Sequence, residues 1–400
     1  MKHKAIIFVT LTSYLSVFLS VFLFGALLSA QVPLNNIDKS IYITDDISME
    51  TVFNVPKITG RGHIDKKLKQ LFASTVPGSK VYGSIYKSTN KDMARAIVKS
   101  YKRNTQWNII MDDIQRRNWL YKGFTKVITK AIDVYFCTST PIETDTSWSG
   151  GSCLGTGINH NKFFAFSEIT DPKDPSQTIK YVVAQSSHNL SGSQSGKYND
   201  LIVTYGDKQL YDTFVSYWQD MKNFDDTGAP DYTEQTINNH NTTIPFLKTY
   251  FSPSTFNFKN PILADLETTI CMPGDAIYSA HSWLKGSAAK AILDQLDKLY
   301  NLGCKINIIA RSTSKENKFV KRLKKTDFNI VFTGKIHSKV FLINATRAAT
   351  VGVNEKTYIT YAGSTNLKDQ AFYSNDEVSF RMENKQVLEA YKAYWKAIAN

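Results

Sequence analysis

Ile158-Asn159-His160-Asn161-Lys162-Phe163-Phe164-Ala165-Phe166 has a second copy later in the chain, Lys335-Ile336-His337-Ser338-Lys339-Val340-Phe341-Leu342-Ile343. Each is His-x-Lys running into four apolar residues. On an extended strand, side chains two apart share a face, so His160 and Lys162 point together, as do His337 and Lys339. The apolar runs predict strands buried on both faces.

Downstream of the two copies, further residues recur in the same register. Asn189, in Gln185-Ser186-Ser187-His188-Asn189-Leu190, lies 29 residues past His160, and Asn366, in Ala362-Gly363-Ser364-Thr365-Asn366-Leu367, lies 29 past His337. Eleven residues beyond each Asn an acid, Asp200 or Glu377, opens an apolar strand. Tyr-Trp pairs, Tyr217-Trp218 and Tyr394-Trp395, end 58 residues past each His. Four landmarks in one register make an internal duplication, with a period too long for a solenoid.

Paired His-x-Lys units, each followed by Ser-x-Asn-Leu and then an acid before a strand, resemble the phospholipase D superfamily. The resemblance covers most of the chain after its N-terminus. It implies two similar α/β halves with mostly parallel sheets, packed around a pseudo-twofold axis. One departure stands out: the family's motif ends in Asp five residues after the Lys, where this chain has Ser167 and Asn344. That change bears on catalytic efficiency more than on fold.

The chemistry explains the residue types. A phosphodiester repels nucleophiles and has a poor leaving group, so a site without metal needs a nucleophile, an acid and fixed cations. The resemblance implies that one imidazole attacks to give a phosphohistidine while the other protonates the leaving oxygen. His160 is assigned attack and His337 the acid. Lys162 and Lys339 would bind the non-bridging oxygens, with Asn189 and Asn366 adding donors. Ser187 and Ser364 would support the strand ends, and Asp200 and Glu377 would each accept from the far nitrogen of a histidine, fixing its tautomer. No metal or other cofactor is expected, since Lys two beyond each His repels a cation and no carboxylate cluster appears. His188 could also approach the site, whereas the Tyr-Trp pairs read as core at helical spacing.

Outward from the motifs, the chain alternates helices and strands. Helices are expected over Ile64 to Ser74, Lys91 to Arg103 and Gln115 to Lys130, with strands at Lys80 to Tyr86, Trp107 to Met111 and Ile132 to Phe136. The second half is expected to repeat this: strand Leu266 to Met272, helix Ser287 to Leu302, strand Lys305 to Ala310, helix Lys315 to Lys325, strand Asn329 to Phe332. The stretch before Gly62 reads as irregular. The halves would span residues 31–230 and 246–400, with a polar linker over 231–245 that carries the sequon Asn241-Thr242-Thr243. The main asymmetry is the long connection Cys137 to Asn159, against Thr333 to Ile336 in the second half. It reads either as a segment overhanging the site or as an insertion held by a disulfide.

Residues 1–30, a basic start followed by an uncharged apolar run, read as a secretory signal or an uncleaved anchor. Both place the rest outside the cytosol, secreted or extracytoplasmic. Four cysteines agree; of their three possible pairings, Cys137 with Cys153 would close the Ser, Thr and Gly-rich loop ahead of His160, and Cys271 with Cys304 could make a second bridge, while the lack of Cys-x-x-Cys argues against zinc. A net charge of +13 and 12% aromatic residues suit an anionic partner, a phospholipid or membrane surface, or a nucleic acid. With both motifs in one chain, a monomer can hold a complete site. Phospholipase D activity, single-strand nuclease activity and a non-catalytic anion-binding role therefore stand as the readings, the first preferred.

Overall fold

A computed structural model describes residues 37–137, 151–223, 242–254, 260–311, 318–349 and 352–400. The expected leader, most of the expected linker with Asn241, and residues 138–150 of the long connection lie outside these. Among the described residues no helix is long and apolar enough to cross a membrane.

The first half holds β1 (Lys39–Tyr42), β2 (Ser48–Asn54), β3 (Lys80–Ile85), β4 (Gln106–Asp112), β5 (Val134–Cys137), β6 (Lys162–Thr170), β7 (Thr178–Ser186) and β8 (Asn199–Tyr205). They form one sheet in the order β1-β2-β8-β7-β6-β3-β4-β5. The second half holds β9 (Leu247–Ser252), β10 (Thr269–Ile270), β11 (Ala276–His281), β12 (Leu284–Lys285), β13 (Lys305–Ala310), β14 (Asn329–Phe332), β15 (Lys339–Arg347), β16 (Glu355–Gly363), β17 (Leu367–Lys368) and β18 (Glu377–Glu383). Its sheet runs β14-β13-β11-β15-β16-β18-β9, with β10 on β15, while β12 and β17 pair separately.

Two α/β halves are thus present, but the sheets are mixed rather than mostly parallel. Parallel pairing within them is confined to β3-β4-β5 and β11-β13-β14, where helices make the crossovers. The His-x-Lys strands, β6 and β15, run on into β7 and β16 through connections too short for a crossover, so those pairs are antiparallel.

Both motif strands are buried on two faces as their apolar runs require. Phe163 and Ala165 face the central core between the sheets, while Phe164 and Phe166 face the outer helices. On β15, Val340 and Leu342 point to the centre, Phe341 and Ile343 outward. Helices Lys208–Asn223 and Lys385–Ala399 fill the central layer. There Phe214 meets Phe251 and Phe380 of the second sheet at 5.4 and 5.9 Å, and Phe53 of the first sheet stacks on Tyr394 at 4.6 Å.

Three local expectations are corrected. Of Leu266 to Met272 only Thr269–Ile270 is a strand, β10: Asn260 Oδ1 accepts from the Ile262 and Leu263 N–H groups and Pro261 opens a helix, Pro261–Glu267, that takes in the start of the expected strand. The strand matching β3 is β11, which begins further along the chain, at Ala276. The stretch before Gly62 contains β1 and β2, which extend the first sheet. The helix Gln115 to Lys130 breaks at Asn118, whose extended backbone and side-chain cap on Leu120 N start a new helix.

Candidate functional site

The parallel strands β3, β4, β11 and β13 end on the side where β6 and β15 begin, so both His-x-Lys units stand at strand ends. Two short parallel bridges cross between the halves here, Asn159 with Asp376 and Tyr198 with Ile336. His160 N–H donates to Asp376 O (2.9 Å), and His337 N–H to Tyr198 O (3.0 Å). The main chain of each motif histidine is therefore held by the opposite half.

The two crossings differ by one residue. Tyr198 corresponds in the duplication to Asn375, yet the residue bridged to Asn159 is Asp376. The side chain after each bridge meets the histidine. Glu377 Oε2 lies 2.7 Å from His160 Nδ1, whereas His337 Nδ1 faces Asn199 Oδ1 at 2.9 Å and Ser187 O at 3.1 Å. Glu377 thus takes the expected place on a histidine and Asp200 does not. Asp200 instead accepts from Ser187 Oγ (2.7 Å) and Tyr391 Oη (3.2 Å). Asn199 was not singled out by the sequence, although Asn199-Asp200 beside Asp376-Glu377 offers two polar candidates at each crossing.

In both histidines Nδ1 faces an oxygen acceptor, leaving Nε2 for chemistry. Lys162 Nζ and Lys339 Nζ each donate to the carbonyl of their own motif histidine. Tyr86, also missed, lies edge-on to His160 with centroids 4.8 Å apart and has Lys162 Nζ 5.2 Å from its ring centre. Asn189 is buried with Oδ1 unpartnered, in a pocket shared with Lys162, Tyr86 and His188. Asn366 Oδ1 accepts from Ser282 Oγ at 3.0 Å. Ser187 and Ser364 tie the strand ends as expected, each accepting at Oγ from a main-chain N–H, those of Asp200 (2.9 Å) and Val378 (3.0 Å). His188 Nε2 pairs with Asp65 Oδ1 at 2.9 Å, and Nδ1 is buried without a partner.

The residues replacing the family's Asp lie further along the strands. Ser167 Oγ accepts from Lys80 N–H (2.8 Å), and Asn344 pairs through its backbone within the sheet. The Tyr-Trp pairs are core. Tyr217 Oη accepts from Asn161 Nδ2 and Tyr394 Oη bonds Ser338 Oγ, so each tyrosine holds the middle residue of a motif. Trp218 and Trp395 Nε1 donate to Gly83 O and Ser279 O.

Burial dominates the electrostatics. It pulls His160 well below the usual histidine range, with Lys162 and Lys339 adding to the effect, and it does the same to His337. Burial lowers Lys339 to about 7 and raises Glu377 to about 7, despite the opposing pull of their neighbours. Resting histidines are therefore neutral, and an arriving anion would favour charging them. Both expected disulfides are formed. Among the described residues the one cluster of metal-ligating types is Cys137, Cys153 and Asp376, and its two sulfurs are bonded to each other.

Residues 274–399 match the family described as "Cardiolipin synthase, PLD-like domain". Phosphatidylserine synthase from Haemophilus influenzae Rd KW20 has a similar fold, with TM-score 0.55 and 11% identity over 92% of this chain and 89% of that one. Polyphosphate kinase from Porphyromonas gingivalis aligns with TM-score 0.50 and 10% identity over 88% of this chain, which spans 50% of the kinase. The phospholipase D family member Nuc from Salmonella typhimurium aligns with TM-score 0.32 and 16% identity over 44% of this chain and 93% of Nuc. None of the curated proteins matches the chain in sequence. The family match thus lies within the second half, and the two halves together share the fold of the phosphatidylserine synthase structure.

Proposed function

We propose that the chain is a metal-independent phosphodiesterase that works through a phosphohistidine and releases the headgroup of a phospholipid. The observation that carries this reading is the reciprocal hold: each imidazole has its Nδ1 fixed by the other half, beside a lysine from its own motif. Neutral His160 attacks phosphorus through Nε2 as the bond to the leaving oxygen breaks. His337, charged once the anionic diester is bound, gives that oxygen its Nε2 proton. Water then gives a proton to His337 and attacks phosphorus, and the P–N bond breaks to restore His160. Lys162, Lys339 and the Asn189 and Asn366 amides would stabilise the non-bridging oxygens.

His160 suits the nucleophile's role because the phosphorylated imidazole is cationic while Nδ1 keeps its proton, and Glu377 is placed to offset that charge. Asn199 on His337 carries no charge. The lipid preference rests on the half-exposed Trp283 ring beside the Arg311 guanidinium, an apolar face next to a cation that suits the headgroup layer of a bilayer.

The test is phosphodiester cleavage in EDTA, with phosphatidylcholine vesicles and single-stranded DNA offered in parallel and His160→Ala as control. Choline release that the substitution abolishes supports the reading. Loss of DNA with intact lipid would replace it with a nuclease. Turnover of neither would favour a non-catalytic anion-binding protein.

A further inference from the structure

The described end of the long connection, residues 151–159, lies against residues 374–377 of the other half. Asp376 is at the centre of that contact. Its carboxylate accepts from Ser152 Oγ (2.5 Å), Cys153 N–H (2.6 Å) and Leu154 N–H (3.1 Å), all in the turn that begins at the Cys137–Cys153 bond. Its main chain completes the grip: Asp376 N–H donates to Ile158 O (3.0 Å), and its carbonyl accepts from His160 N–H. The next side chain, Glu377, faces His160 Nδ1, and Asn375 Nδ2 donates to its other oxygen at 3.1 Å.

The fit needs backbone without side chains on the connection. A Cβ at Gly155 would lie 2.2 Å from Ser374 O, and one at Gly157 would lie 2.3 Å from Asn375 Oδ1. Gly157 N–H donates to Ser374 O (2.7 Å), and Ile158 N–H to Asn375 Oδ1 (3.2 Å). At the other end Cys137 closes β5, in register with Asp112, whose carboxylate accepts from Asn159 N–H at 3.0 Å. The corresponding connection before His337, Thr333 to Ile336, has no disulfide.

We propose that Asp376 is a positioning residue for His160 and that the Cys137–Cys153 bond makes the site competent through it. The inference rests on the phosphodiesterase reading. The bond closes the turn, the turn's donors fix the Asp376 carboxylate, and Asp376 sets its neighbour Glu377 against the imidazole. Opening the disulfide releases the turn, so activity is confined to compartments where that bond persists. Asp376 touches no reacting atom.

The test uses a soluble diester with a p-nitrophenolate leaving group, which needs no proton from His337 in the first step, so that the first-turnover release of p-nitrophenolate, read beside kcat, reports on His160. Three variants loosen the contact by different means: Cys137→Ala/Cys153→Ala, Asp376→Asn and Gly157→Ala. Each is expected to lower kcat at least about 10-fold with KM within about two-fold, and to move the acid limb of kcat to lower pH as His160 loses its carboxylate. Cys271→Ala/Cys304→Ala is expected to be less stable yet to keep wild-type kcat. Folded contact variants that keep wild-type kcat and pH profile, with only Tm lowered, would overturn the proposal and leave the functional reading intact. A wild type that turns over no diester would overturn both.

Discussion

Glu377 and Asn199 do the same geometric task on opposite histidines and differ by one charge. Burial raises Glu377 from 4.5 to about 7, so the folded protein holds that proton more tightly than the unfolded chain does. Its contribution is greatest below pH about 4.5 and is lost as pH rises through about 7. In Glu377→Gln the carboxamide oxygen can still accept from His160 Nδ1, but no ionisation is forced on the interior. The variant is therefore expected to match wild-type stability below pH ~4.5 and to exceed it above pH ~7, while kcat falls at least about 10-fold. Thermal unfolding across that range, beside rates at each pH, checks both halves. A variant less stable than wild type at high pH would mean that Glu377 gains more from Lys162 and His160 than burial takes away.

The elements that carry the motifs are held by residues with no part in the chemistry. Tyr217 Oη accepts from Asn161 Nδ2 at 3.1 Å and donates to Ser252 O at 3.1 Å, tying β6 to β9 through the helix Lys208–Asn223. Tyr217→Phe strips both bonds inside the core and is expected to cost about 1–3 kcal/mol in urea unfolding, with kcat little changed. A large drop in kcat at wild-type stability would show that Asn161 aligns the site rather than the strand. This tyrosine was legible as core because it recurs with its Trp at the same place in both halves. The buried motif strands were legible for a related reason, since a run such as Phe163 to Phe166 has no polar face to offer water. Pro261–Glu267 was not legible as a helix, because its short turn sits beside β-branched Thr268, Thr269 and Ile270, and the capping Asn260 carries the deciding signal. The partner of each histidine was hidden for a different reason. It depends on a one-residue offset between two crossings, set by packing of one half on the other, which no spacing along the chain records.

At the scale of the whole molecule, the duplication places two basic motifs at the same end of two sheets, and the surface around them decides the substrate. Trp283 comes just after β11 at that end, is 46% exposed, and lies 5.3 Å below the Arg311 guanidinium, itself just past β13. Lys197 and Lys368 stand near the site as well, each lowered by partial burial. An exposed indole beside fixed cations is suited to the headgroup layer of a bilayer, where the ring reaches carbon and the charges reach phosphate. If the substrate is a phospholipid, Trp283→Ala should weaken turnover of anionic vesicles by about 5-fold or more, the indole's burial being worth roughly 1–3 kcal/mol. Turnover of a soluble diester should stay within about two-fold, because the half-exposed indole would then serve the lipid surface and not the phosphate. Raising salt from about 50 to about 500 mM should weaken vesicle binding of both proteins, since screening acts on the cations and not on the ring. Equal losses on vesicles and soluble diester would instead place Trp283 inside the substrate pocket. An unchanged vesicle rate would remove the indole from the lipid-facing surface and shift weight to single-stranded nucleic acid, for which these cations would serve equally well.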